Sequence, residues 1–150
     1  MKKILVGLDG SLASLNALKY AVKMAGLLHA DIVGITVINE LSYSEYYKDI
    51  SGKLKTEAEG MLKKVVAAVD AVGITIRTQI ENGTPDVVFA ELAKTDSDIA
   101  MVVVGASGRG RGSRVFVGSK THALVNQAAA GLPCPVVVVP GNSEDFLKRV

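Results

Sequence analysis

Four short apolar runs, Ile4 to Leu8, Ile32 to Ile38, Ile99 to Val104 and Val136 to Val139, are rich in β-branched residues and show little polar alternation. They read as parallel strands covered on both faces. Between the first two, Leu12, Leu15, Leu18, Tyr20, Val22, Ala25 and Leu28 recur at three- and four-residue spacing, leaving Lys19 and Lys23 for the outer face. This predicts a first helix. From Lys53 to Val72 the residues Leu54, Ala58, Met61, Leu62, Val65, Val66 and Val69 repeat the pattern, with Gly73 as its expected C-terminal stop. Ile74, Ile76 and Thr78 alternate with Thr75 and Arg77 as an edge-like strand, after which Gly83-Thr84-Pro85 opens a third helix running to Lys94. Thr84 suits the N-cap and Pro85 the first helical position. A fourth helix is expected after Gly118-Ser119, stopping near Gly131 before Pro133-Cys134-Pro135 and the last strand. The order βαβαβαβαβ implies a parallel sheet with helices on both faces and right-handed crossovers. Leu41 to Gly52 is polar, carries Tyr43, Tyr46 and Tyr47, and reads as a loop or short lid.

Length and composition narrow the function classes. The chain has 150 residues, the size of one domain, with 49% hydrophobic and 21% charged residues and a mean hydropathy of +0.32. It is too apolar to be disordered. Its net charge of +2 lacks the concentrated positive field of a dedicated nucleic-acid binder. A lone cysteine, Cys134, excludes an internal disulfide and agrees with a reducing compartment. The opening apolar run, Ile4 to Leu8, is shorter than a signal-peptide core or a membrane span, so no membrane role is expected and the cytoplasm is the expected location.

Ligands of open parallel sheets bind beyond the carboxyl ends of the strands, where neighbouring connections leave in opposite directions. The first strand ends in Asp9-Gly10-Ser11, the second in Val37-Ile38-Asn39-Glu40 and the fourth in Gly105-Ala106-Ser107-Gly108. The fourth is the most distinctive. Gly105, Gly108, Gly110, Gly112 and Gly118 are five of the 15 glycines, together with Arg109, Arg111 and Arg114. Glycines let backbone amides turn toward an anion without a Cβ in the way, and Gly118-Ser119 begins a helix whose N-terminus favours phosphate. A solvated basic loop, with Ser119 as a plain N-cap, is the competing reading. Gly118 is followed by Ser119-Lys120 and not by lysine then Ser/Thr, so the Walker A motif is absent, and no GxGxxG directly follows a strand.

Gly105-Ala106-Ser107-Gly108, nine residues, then Gly118-Ser119, all between an apolar strand and Pro133-Cys134-Pro135-Val136-Val137-Val138-Val139-Pro140, resembles the nucleotide-binding branch of the universal stress protein family. The likeness extends through Lys2 to Ser11, Val37-Ile38 and Gly83-Thr84-Pro85. It implies a three-layer α/β sandwich, Rossmann-like and similar to the adenine nucleotide alpha hydrolases, with a five-stranded parallel sheet of order 3-2-1-4-5 and four helices. It implies ATP, or ADP or AMP, with the adenine near Gly7, Asp9 and Val37. The ribose would lie by the strand-four loop at Gly105 and Ser107, and the phosphates over Gly108, Gly118 and Ser119, with Lys120 beside them. The chain departs from the commonest family pattern at Ser107 and Gly112, and Arg109 and Arg111 are candidates to replace the missing anchoring.

Asp9 has two readings: a partner for adenine, ribose or a divalent cation, Mg or Mn, near the phosphates, or a turn aspartate at the start of the first helix. No acidic residue occurs from Gly105 to Ser119, and no complete set of phosphoryl-transfer groups stands out. His29, His122 and Cys134 read as structural. The last strand, Val136 to Val139, is expected at a sheet edge that pairs with a second copy, as the family does, unless the tail from Gly141 to Val150 covers it. The sequence thus points to an ATP-binding, homodimeric regulatory module, with a slow ATPase and a nucleotide-free scaffold as alternatives.

Overall fold

The computed structural model describes residues 1–38, 47–106, 123–126, 131–140 and 145–150. Strand β1 (Lys3–Gly7) leads into α1 (Leu12–Leu28), followed by β2 (Asp31–Ile38), α2 (Tyr47–Ala67), β3 (Ile76–Asn82), α3 (Pro85–Thr95), β4 (Ile99–Gly105) and β5 (Val136–Val139). Residues 123–126 are helical and belong to the fourth helix, α4, and a 3-10 turn spans Asp145–Arg149. The five strands form one sheet in the order β3-β2-β1-β4-β5, and every pairing is parallel. The expected architecture is the observed one.

Two apolar cores sandwich the sheet because successive side chains of a buried strand point to opposite faces. On one face Ile4, Val6, Ile32 and Val103 meet Ala17, Leu18, Ala21 and Ala25 of α1 and Leu62 of α2. On the other, Leu5, Ile35, Val37, Val102 and Val104 meet Phe89 and Ala93 of α3, Leu124 of α4 and Cys134. Burial pushes the Cys134 thiol pKa up, which fits a small packed side chain and not a reactive thiolate.

The second helix departs from its expected bounds at both ends. It starts at Tyr47, so the loop expected from Leu41 to Gly52 is helical from 47 onward, while Leu41 to Tyr46 lie outside the described residues. The apolar spacing Tyr47, Ile50, Leu54, Ala58 continues the helical stripe through a polar-looking stretch. Its last turn tightens at Ala68, whose amide is shared between the Lys64 and Val65 carbonyls, and the helix ends well before Gly73. Gly73, at φ +81°, instead takes the third position of a turn closed by the Ile74 amide on the Ala71 carbonyl at 2.9 Å. That turn delays β3 to Ile76. Thr84 occupies the N-cap of α3 with Pro85 behind it, as expected, but its side chain makes no capping hydrogen bond.

The amino ends of β1 and β4 are tied by Lys3, whose Nζ donates to Asp96 Oδ2 at 2.7 Å, and Asp96 Oδ1 accepts from the Asp98 amide at 3.0 Å. The Lys3 ammonium and the Asp98 amide hold the Asp96 carboxyl below its ordinary pKa, and Asp96 raises that of Lys3. The stability linked to Asp96 is therefore complete above its unfolded pKa of about 4 and is lost as acid protonates the folded carboxylate; that linked to Lys3 is complete below its ordinary 10.5 and is lost at higher pH. The pair is partly exposed, so the effect is small. We expect Asp96→Asn to lower the urea midpoint slightly at neutral pH and to shallow the fall in stability below about pH 4, measured by urea titrations across that range.

Candidate functional site

Beta-strands one and four are neighbours whose onward helices pack on opposite faces, α1 on the Val6 face and the helix holding Leu124 on the Leu5 face. A crevice therefore opens beyond their carboxyl ends. Its floor is made of small residues. Gly7 is buried and closes the β1–β2 ladder opposite Ile35, and Gly105 ends β4 opposite Val139. The Ala106 amide extends that edge by donating to the Val139 carbonyl at 2.7 Å.

Gly105 has a packing reason of its own. A Cβ there would lie 2.6 Å from the backbone C and O of Ala13, so only glycine lets the first turn of α1 sit against the end of β4. Its role toward a ligand is a separate matter.

The β1–α1 turn is a closed hydrogen-bond network. Ser11 is the N-cap of α1, its Oγ accepting from the Ser14 amide at 3.1 Å, and Ser14 Oγ donates back to the Ser11 carbonyl at 3.0 Å. Asp9 is half-buried, accepts the Ser11 amide on Oδ1 at 2.8 Å and donates its own amide to Ser14 Oγ at 3.3 Å. Asp9 is thus an Asx-turn residue that initiates the helix, which is one of its two sequence readings. Gly10, at φ +84°, supplies the left-handed step between them. Val37 is fully buried in the α3-side core with Leu5 and Phe89, so the protein itself covers it.

The structure brings Gly7, Asp9 and Gly105 together at the ends of adjacent strands, with Val37 near the end of β2, beneath. Ser107, Gly108, Arg109, Gly118, Ser119 and Lys120 lie outside the described residues. Among the described residues no three His, Cys, Asp or Glu side chains gather to hold a metal ion. His29 caps the C-terminus of α1 in a left-handed conformation and is exposed. Sequence reading passed over Ser14 and Thr36. The signals were a Ser-x-x-Ser spacing at the helix start and one hydroxyl inside the apolar run Val33 to Val37.

At the far edge of the sheet, no strand among the described residues lies beyond β5, and Val138 is 40% exposed. The described part of the tail packs on α1, with the Phe146 ring tilted against Tyr20 at a centroid distance of 6.3 Å and the Leu147 carbonyl accepting from Lys23 Nζ at 2.8 Å. The opposite edge, β3, carries Arg77, Gln79 and Glu81, with Gln79 Nε2 donating to Glu81 Oε1 at 2.7 Å. Polar and charged side chains thus line the β3 edge. No helix among the described residues is long and apolar enough to cross a membrane.

Comparison with known proteins agrees with this architecture. The family model described as "Universal stress protein family" matches residues 1–140. A universal stress protein of Methanocaldococcus jannaschii is 33% identical over 146 residues, covering 92% of this chain and 81% of that protein. The solved universal stress protein UspA from Lactobacillus plantarum superposes with a TM-score of 0.66 at 26% identity, covering 92% of this chain and 97% of that one. A universal stress protein solved in complex with cAMP shares the fold with a TM-score of 0.62 at 20% identity, covering 94% and 98% of the two chains. Matched by the family model over residues 1–140, this chain belongs to the universal stress protein family.

Proposed function

We propose that the chain is an ATP-binding regulatory module of the cytoplasm, one domain over its 150 residues, whose nucleotide occupancy orders the glycine-rich segment and changes the surface shown to partners. The observation that carries this reading is that β4 ends at Gly105 and Ala106 next to β1, whose end leads into the Asp9 turn, at the point where neighbouring connections diverge. A small-residue floor suits close approach of a planar base and ribose, and Asp9 offers an acceptor to an amino or hydroxyl group. In this reading adenine lies near Gly7, Asp9 and Val37, and ribose by Gly105 and Ser107. The amides around Gly108, Gly118 and Ser119 receive the phosphates, with Arg109 and Lys120 supplying positive charge. With no acidic cluster among the described residues, Mg or Mn would be held chiefly by phosphate oxygens and water, with Asp9 as its protein partner. That a family member was solved with cAMP supports an adenine nucleotide as the ligand class.

The position of β5 at the outer end of the described sheet supports a homodimer in which Val136 to Val139 of two copies meet. The test is titration of ATP into the purified protein and into Gly118→Val, whose side chain would stand among the phosphate-facing amides. Saturable binding by the wild type, weakened at least about tenfold in the variant, is expected. Equal and negligible binding by both would favour a scaffold without nucleotide. Phosphate release near about one per second with magnesium would make the protein an enzyme.

A further inference from the structure

We infer that Thr36 is a positioning residue for this site, its hydroxyl holding the carbonyl of Leu8 and so setting the direction in which Asp9 leaves β1. The regular β1–β2 ladder ends with Gly7 opposite Ile35. One residue further, Leu8 is held by β2 through both of its main-chain polar groups. Its amide donates to the Ile35 carbonyl at 2.9 Å, and its carbonyl accepts from Thr36 Oγ1 at 2.8 Å in a fully buried setting.

The Leu8 side chain is confined as well. A Cβ on Gly34 would come within 2.7 Å of Leu8 Cδ1, so β2 leaves Leu8 a notch of fixed depth. Leu8, the residue directly after β1, is therefore a fixed point, and the residue hinged on it is Asp9. From there the Asp9 amide goes to Ser14 and its carboxylate to the Ser11 amide. Thr36 reaches this turn from outside it, across strands.

The residue type supports this role. Valine would fill the same volume, and its neighbours Ile35 and Val37 are apolar, so packing alone gives no reason for a hydroxyl at a fully buried position. A buried carbonyl without a partner is costly, and Thr36 supplies the partner.

The inference rests on the nucleotide reading for what Asp9 does to a ligand, whereas the positioning of the turn is tested without one. Thr36→Val and Thr36→Ser are compared with the wild type by amide resonances and hydrogen exchange at Asp9, Ser11 and Ser14. ATP affinity is then measured for each, and for Thr36→Val in an Asp9→Ala background. We expect Thr36→Val to shift those amides and speed their exchange, and to weaken ATP about fivefold, with Thr36→Ser restoring affinity to within about twofold and no further loss in the Asp9→Ala background. Unchanged turn amides in Thr36→Val would overturn the inference, as would an equal loss of affinity with and without Asp9. Turn amides that respond in a protein that binds no ATP would uphold the positioning and defeat the nucleotide reading.

Discussion

Replacing Gly105 by alanine is expected to cost roughly 3 kcal/mol of folding stability, the upper end of what a single added methyl does in a packed interior. The reason is what the methyl would strike. It meets the Ala13 C and O at 2.6 Å and the Ala13 Cβ at 2.8 Å, and main-chain atoms in the first turn of α1 cannot swing aside as a long side chain can. Relief requires α1 to lift from β4, which also shifts Ser11 and Ser14 and hence the Asp9 turn. We therefore expect a weakened site in addition to a lowered urea midpoint. Gly26→Ala provides the control. It lies in α1, nothing approaches its would-be Cβ within 4 Å, and helix propensity should make it neutral or more stable by up to about 1 kcal/mol. If Gly105→Ala proved as harmless as Gly26→Ala, the close seating of α1 on β4 would be wrong.

Phe89→Ala should be more damaging still, costing about 3–5 kcal/mol through lost transfer energy and the cavity left behind. Among the described residues Phe89 is the largest fully buried side chain, and it sits where α3 closes over Leu5, Val37 and Val104. Aromatic bulk there props apart the helix and three strands, two of which end at the crevice. Phe89→Leu, keeping most of the volume, should lose much less. Urea unfolding of both variants at one pH is the measurement; a loss under about 1 kcal/mol for alanine would mean that α3 does not close the second core.

The contrast between these two positions bears on how far a chain of this kind can be read directly. Phe89 lies inside the third helix expected from Gly83-Thr84-Pro85 to Lys94, and its four-residue spacing to Ala93 is the local pattern of an inner face, although the sequence alone did not single it out. Gly105 was not foreseeable as a packing residue. In sequence it opens a glycine-rich stretch and reads as part of a phosphate cradle, and its contact with Ala13 exists only after α1 has crossed from β1 to lie over β4. Asp9 stood open between ligand partner and turn former until the Ser11 and Ser14 hydrogen bonds showed it performing the second task. Gly73 looked like a helix stop because glycine favours both that position and a tight turn, and the turn at Ala71 to Ile74 took it.

Short-range periodicity decided the number and kind of elements here, since burying an unbroken β-branched run or an apolar stripe admits few alternatives and the parallel crossovers have one hand. Spacing of glycines and prolines was enough to mark the family. Which residues touch across the crevice came from long-range packing. The Ala13 contact that reserves position 105 for glycine, the Thr36 hydroxyl beneath Leu8 and the packing of Phe146 against Tyr20 of α1 each join segments far apart in the chain, and local pattern carries no information about such meetings.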